Sequence, residues 1–252
     1  MLPALLAPFL TADPLAQNLA ARNAPPAAAH LLGTDALGRD VLSRLGAGAG
    51  LSLILGFGAM TGSLLLGAGL GLASLAAGKT AEAALFAVFD LIRAMPSVLL
   101  ALTLLMAIGN GLAPIILALS IAYAPMMAAV ARGAWQREQQ ALYVAAATAT
   151  GAPPWRILQR HILPNVAGAL ATQAAIVVPR AITTESVLSF FGLGVSPETP
   201  TWGRMIAAGV AYVETAPMPV LAPVIALSLT TLACALFGDR LRLALDPLRH
   251  AR

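Results

Sequence analysis

LGAGAGLSLILGFGAMTGSLLLGAGLGLASLAAG, from Leu45 to Gly78, contains no charged side chain. A helix needs about 20 predominantly apolar residues to cross a hydrocarbon core about 30 Å thick, at about 1.5 Å per residue. This stretch exceeds that length, so it predicts a membrane-spanning helix. Small residues recur four apart at Gly46 and Gly50, Gly58 and Gly62, and Gly67 and Gly71. Such spacing lets helix backbones approach closely and predicts a centrally packed helix.

Downstream, four more stretches are long and apolar enough to span: Phe86 to Ile108, Ala113 to Ala131, Val166 to Leu188 and Ala216 to Gly238. Asp90 and Arg93 fall near the start of the first of these, and Gly109-Asn110-Gly111 with Pro114 marks a turn after it. Pro96, Pro125, Pro179 and Pro223 interrupt the spans, which neighbouring helices make tolerable. Upstream, Met1 to Leu10 is apolar but would reach only about 15 Å as a helix. It reads as the exit end of a sixth helix that begins before this chain, or alternatively as an interfacial anchor.

The composition agrees: 59% of the 252 residues are hydrophobic and 10% charged, and the mean hydropathy is +0.82. Soluble domains carry about 25% charge. The single Cys234 excludes an internal disulfide, and the net charge of +4 is scattered rather than gathered into a nucleic-acid-binding arm. Lys79, Arg93, Arg132, Arg137, Arg156, Arg160, Arg240, Arg242, Arg249 and Arg252 fall in one alternating set of loops; Arg22, Arg39, Arg44 and Arg204 fall in the other. The positive-inside rule makes the first set cytoplasmic and the C-terminus with it. The expectation is one all-α, polytopic transmembrane domain over residues 1–252. It comprises a partial first helix (1–10), an outer segment (11–44), a core of five full spans (45–238), a cytoplasmic loop (136–165) and a cytoplasmic tail (239–252).

The cytoplasmic loop reads REQQALYVAAATATGAPPWRILQRHILPN from Arg137 to Asn165. A short helix through Ala145, Ala146, Ala147 and Ala149 should stop at Gly151, where glycine suits a left-handed residue, and Pro153 and Pro154 should open a second helix lying along the inner leaflet. Two short helices joined by a glycine bend make a knob whose alanine face suits docking, although an ordinary loop hairpin fits the same pattern. Arg180 and Glu185 are ionisable residues inside a span and should face protein or a watery pathway, unless Glu185 reaches the outer interface and Arg180 snorkels. Gly78-Lys79-Thr80 resembles a phosphate loop, but Ala73 stands where such a loop needs glycine and a membrane helix precedes it. His30, His161 and His250 are far apart with no ligand spacing, so no metal site is expected. No residue qualifies as catalytic, because no His or Lys inside a span is placed to activate a nucleophile.

The loop resembles the EAA loop of binding-protein-dependent ABC importer permeases: Ala146, Ala147, Gly151, Leu163 and Pro164 match, and Ala145 replaces the family's glutamate. HLLGTDALGRDVLSRL (His30 to Leu45), ESVLSFFGLGVSPETPTWGRMI (Glu185 to Ile206) and FGDRLRLALDP (Phe237 to Pro247) are similar to segments of the C-type permease of the dipeptide, oligopeptide and nickel branch, with Leu243 in place of a usual Asp. The resemblance implies the type I importer permease fold in a bacterial inner membrane, and a coupling helix within residues 136–165 that fits a cleft on a cytoplasmic ATPase. It also implies a second, homologous permease, two ATPase subunits that bind the ATP, and a periplasmic or surface solute-binding protein. The partner list then holds the lipid bilayer but no nucleic acid, and no cofactor binds the chain itself. Gly33, Asp35, Gly38, Arg39, Asp40 and Trp202 become candidates for the outer face, and Arg180 and Glu185 for the pathway of small peptides or nickel chelates. The alternative, an ion-gradient-driven carrier or channel, calls for more buried carboxylates or broken half-helices than these spans offer.

Overall fold

Backbone N–H and C=O groups in lipid must bond to one another within the protein, so an apolar chain of this composition can cross a membrane only as helices or a closed barrel. The computed structural model describes residues 13–196 and 198–244, and every longer element among them is a helix. These are α1 (Val41–Ala77), α2 (Lys79–Arg93), α3 (Ser97–Ile108), α4 (Leu112–Gln139), α5 (Leu142–Ala149), α6 (Leu158–Phe190, entered through the turn Pro154–Ile157), α7 (Trp202–Gly209) and α8 (Met218–Ala244). Helices α1, α4, α6 and α8 are each long and apolar enough to span. The expected partial helix over Met1 to Leu10 and the end of the tail lie outside the described residues.

The glycine pattern of α1 faces α4. A Cβ added at Gly58 would meet Ile116, at Gly62 the Ser120 hydroxyl, at Gly67 the Ala124 carbonyl, and at Gly71 Ala128. Gly50 faces open space and takes no part. In an unbroken α-helix Gly67 would sit about 140° around the axis from Gly62. A π turn at Leu64–Gly69 absorbs the extra residue and returns Gly67 and Gly71 to the seam.

The second expected span, Phe86 to Ile108, is not one straight helix. Helices α2 and α3 meet at 96°, and neither the 15 residues of the first nor the 12 of the second covers the bilayer alone. Pro96 explains the break: it donates no hydrogen bond and forces Met95 away from helical geometry. Helix α2 buries Phe86 and Phe89 against Ala124 and Ala128 of α4. Glu82 bonds Arg132 of α4 at 2.6 Å, and the same guanidinium lies 4.4 Å from the Phe86 ring centroid. Taken together, the pair is long and apolar enough for a fifth, broken span.

Helix α4 runs through the centre, between α1, α3 and α6. Leu55, Leu105, Leu119, Met127, Val177 and Leu188, from those four helices, are fully buried in the main core. On the side where α6 ends, the turn after α3 is stitched to the loop after α6, with Gly111 N donating to Gly194 O (2.9 Å) and Gly194 N to Asn110 Oδ1 (3.3 Å). Ile54, Leu65, Met106, Ile225 and Leu229 remain exposed, as lipid-facing residues should.

Candidate functional site

The loop between α4 and α6 folds into the expected knob, and Gly151 closes its helix. Gly151 has φ +78°, its N–H donates to Thr148 O (3.0 Å), and Ala152 N donates to Ala147 O (3.0 Å). This is the Schellman arrangement, which satisfies the last carbonyls of α5. Val144 is buried and Ala147 half-buried against the main core. Leu142, Ala145, Ala146 and Ala149 point outward with a spacing of i, i+3, i+4 and i+7, and Leu142 is 88% exposed. Ala145 and Ala146 thus share an apolar stripe with Ala149, a member of the same expected helix of small residues, and with Leu142, which the sequence pattern had not singled out. Leu163 and Pro164 are exposed in the second turn of α6 and do not belong to the α5 stripe. The turn at Pro154 does not form a separate helix along the leaflet; it continues through a π turn at Leu158–Ile162 into α6.

A polar latch that the sequence reading missed holds the knob. Glu138, buried near the end of α4, accepts from the Tyr143 hydroxyl of α5 and from Asn165 Nδ2 of α6 (2.9 Å). Asn165 Nδ2 also lies 2.9 Å from the Tyr143 oxygen and 3.1 Å from His161 O, while the rings of Tyr143 and His161 are 5.5 Å apart. Three helices therefore converge on one carboxylate. Hydrogen bonds to a charged group contribute about 1.5–3 kcal/mol each. Glu138→Ala should accelerate amide exchange across Leu142–Ala149 by roughly ten- to a hundredfold while leaving α1 and the core of α4 protected. Hydrogen-exchange mass spectrometry reads this directly, and unchanged protection of α5 would show that the latch holds nothing.

On the opposite side, the charged candidates bond to one another. Asp35 accepts from Arg39 Nε (2.7 Å), Arg39 N (3.0 Å) and Leu37 N (2.9 Å), and Arg44 Nε approaches it at 3.6 Å. Asp40 caps α1 by accepting from Ser43 N (2.7 Å) and Ser43 Oγ (2.8 Å), and pairs with His30 Nδ1 at 3.0 Å. Gly33 O accepts from Val41 N, and a Cβ at Gly38 would collide with Asn18 O. Asp35, Arg39, Asp40 and Arg44 are all buried, so the segment is a self-satisfied knot that fixes where α1 begins. Trp202 is also fully buried, and its Nε1 donates to Leu45 O (3.2 Å), pinning α7 to α1.

Arg180 and Glu185 are not brought together. Five residues apart on α6, they leave the helix in different directions. Glu185 is fully buried, accepts from Ser189 Oγ at 2.6 Å and has the Ser186 hydroxyl at 3.5 Å. Arg180 is exposed along a groove of about 600 Å³ between α4, α6 and α8, lined also by Tyr123, Thr183, Thr184, Ser228 and Thr231. Tyr123 OH lies 2.7 Å from Thr184 Oγ1 and donates to Arg180 O (3.2 Å), bracing one wall.

A polytopic helical bundle with a glycine-closed inner knob, a capped outer knot and a polar groove along its spans is the build of a membrane transport subunit. The chain belongs to the binding-protein-dependent transport system inner membrane component family, whose model matches residues 45–250. It is therefore a multi-pass inner-membrane permease subunit of a bacterial ABC transporter, and not an enzyme. Membership of this family displaces the ion-gradient-driven alternative. The dipeptide transport system permease protein DppC of Alkalihalophilus pseudofirmus is 36% identical over 248 residues, covering 98% of this chain and 82% of that protein. The di/tripeptide transport system permease protein DppC of Pseudomonas aeruginosa is 40% identical over 220 residues (87% and 73%). The glutathione transport system permease protein GsiD of Pectobacterium atrosepticum is 36% identical over 225 residues (89% and 75%). In fold, the chain is similar to the inward-facing MetNI methionine ABC transporter, with a TM-score of 0.66 at 18% identity over 81% of this chain and 96% of that one.

Proposed function

We propose that this chain is one of two membrane-spanning subunits of an ATP-driven importer of short peptides. The observation that carries the reading is the knob: an apolar stripe on α5, stopped by Gly151 and held by the Glu138 latch, suits a groove on a soluble partner. On this reading the partner is one of two cytoplasmic ATPase subunits, which bind and hydrolyse the ATP; residues 136–165 take up its motion and the tail from 239 lies on the same side. The apolar stripe, with Ala145 where the family has glutamate, makes docking here depend on shape rather than on charge. A second, homologous permease completes the pathway, and a solute-binding protein docks on the outer face shaped by Gly33 to Asp40 and the Trp202 segment. Since Asp35, Arg39 and Asp40 bond internally, their contribution to that face is its shape. Peptides are favoured over nickel because the relatives above are named for dipeptide, di/tripeptide and glutathione transport.

The test is the complete importer in proteoliposomes, with labelled di- and tripeptides and nickel chelates supplied with its binding protein. Peptide uptake should require both the binding protein and ATP on the ATPase side. Uptake driven by a proton or sodium gradient without ATP would overturn the mechanism, and uptake of nickel chelates but of no peptide would overturn the substrate class.

A further inference from the structure

Arg180 lies about 15 Å along α6 from the helix end at Phe190, which places it near the middle of a hydrocarbon core about 30 Å thick. A lipid-facing arginine there costs about 2.5–3.5 kcal/mol, so such residues face protein or water and mark solute paths. Arg180 takes part in none of the ion pairs among the described residues; its Nη1 has Met126 Sδ, a weak acceptor, at 3.7 Å. The guanidinium is thus a fork of donors held beside a groove of about 600 Å³ with no anion of its own.

The rest of the groove has the opposite polarity. Thr183 Oγ1 donates to Pro179 O (2.9 Å) and Thr231 Oγ1 to Leu227 O (2.9 Å), so the hydroxyl protons are committed to their own helices and lone pairs remain for a ligand. One cationic fork and several acceptors along a single groove match a zwitterionic chain with a carboxylate at one end and N–H groups behind it.

We propose that Arg180 receives the free carboxylate of the solute midway across the membrane, with Thr183, Ser228 and Thr231 accepting from its N–H groups. The inference rests on the peptide-import reading above and adds which end of the peptide is held and by what. Planar bidentate pairing is what arginine does better than lysine, so Arg180→Lys should retain only part of the effect.

The test uses the complete importer in nanodiscs, with Cys234→Ala and Leu232→Cys providing one thiol in the groove. A negatively charged sulfonate methanethiosulfonate should label it roughly tenfold faster, relative to a trimethylammonium reagent, than in the same importer carrying Arg180→Gln. A dipeptide with a free C-terminus should protect the thiol at roughly ten- to a hundredfold lower concentration than its C-terminal amide, and Arg180→Gln should erase that difference. A thiol unreactive to both reagents, as when the second permease covers the groove or supplies a carboxylate to Arg180, would overturn the proposal. So would equal protection by acid and amide. Protection by succinate but by no peptide would support the carboxylate site while sinking the peptide reading of the importer.

Discussion

Gly151→Val should abolish solute uptake while the chain still inserts in the membrane. Position 151 has φ +78°, where a β-branched side chain is strained by about 1–2 kcal/mol, and no atom beyond its chain neighbours lies within 4 Å of where its Cβ would go. The penalty is therefore purely conformational, and the chain relieves it by opening the Schellman turn. That frees Ala152 N and the Ala147 carbonyl and tilts α5, with its buried Val144, away from the main core. Asparagine tolerates the left-handed region, so Gly151→Asn should keep most of the uptake. Gly168, in helical backbone with nothing within 4 Å, provides the comparison: Gly168→Val should leave uptake close to normal. The measurement is co-purification of the ATPase subunits with each variant, alongside uptake in proteoliposomes. Normal transport by Gly151→Val would remove the knob from the coupling mechanism.

Some of this architecture was legible in the residues because one local rule decided it. A stretch free of charge and longer than the bilayer gave α1, and glycines four apart gave its packing seam. Gly151 before two prolines gave the end of α5, since glycine there answers a backbone requirement that no distant contact changes. The bend between α2 and α3 was the harder case. Phe86 to Ile108 is apolar enough for one span, and a proline inside a membrane helix is commonly absorbed by its neighbours. Pro96 permits the break, and tertiary contacts fix its direction: Phe86 and Phe89 lie on Ala124 and Ala128 while Glu82 is tied to Arg132, which holds α2 on α4. The Glu138 latch was equally hidden, because its members stand at 138, 143 and 165 and meet only when α4, α5 and α6 come together. Arg180 and Glu185 drew attention as a pair of charges. Only the rotation of α6 separates a buried, hydroxyl-bonded carboxyl from a guanidinium on an open groove.

Trp202→Ala should lower the stability of the chain by about 3–5 kcal/mol, the usual cost of emptying a buried indole site. The ring is fully buried among Val41, Leu45, Ala49, Val178, Ile182 and Met205, so it locks the start of α1 to α6 and α7 at once. Its Nε1 donates to Leu45 O at 3.2 Å, a bond that Trp202→Phe would remove while keeping most of the packing. That milder change should cost about 1 kcal/mol. Neighbouring positions have little room to compensate, since a Cβ at Gly48 would already touch Trp202 Cδ1 at 3.3 Å and Gly203 has no space against the Ser186 backbone. Thermal unfolding of the solubilised chain, compared across wild type, Phe and Ala, reads the graded loss. The same variants separate two roles for the Trp202 segment on the outer face. If the indole itself met the binding protein, Trp202→Ala would leave the unfolding temperature unchanged and weaken only the concentration dependence on that protein. Because the ring is enclosed on all sides, the stability loss should come first, with binding-protein docking falling only as the Gly33 to Asp40 knot and α7 lose their common anchor at the start of α1.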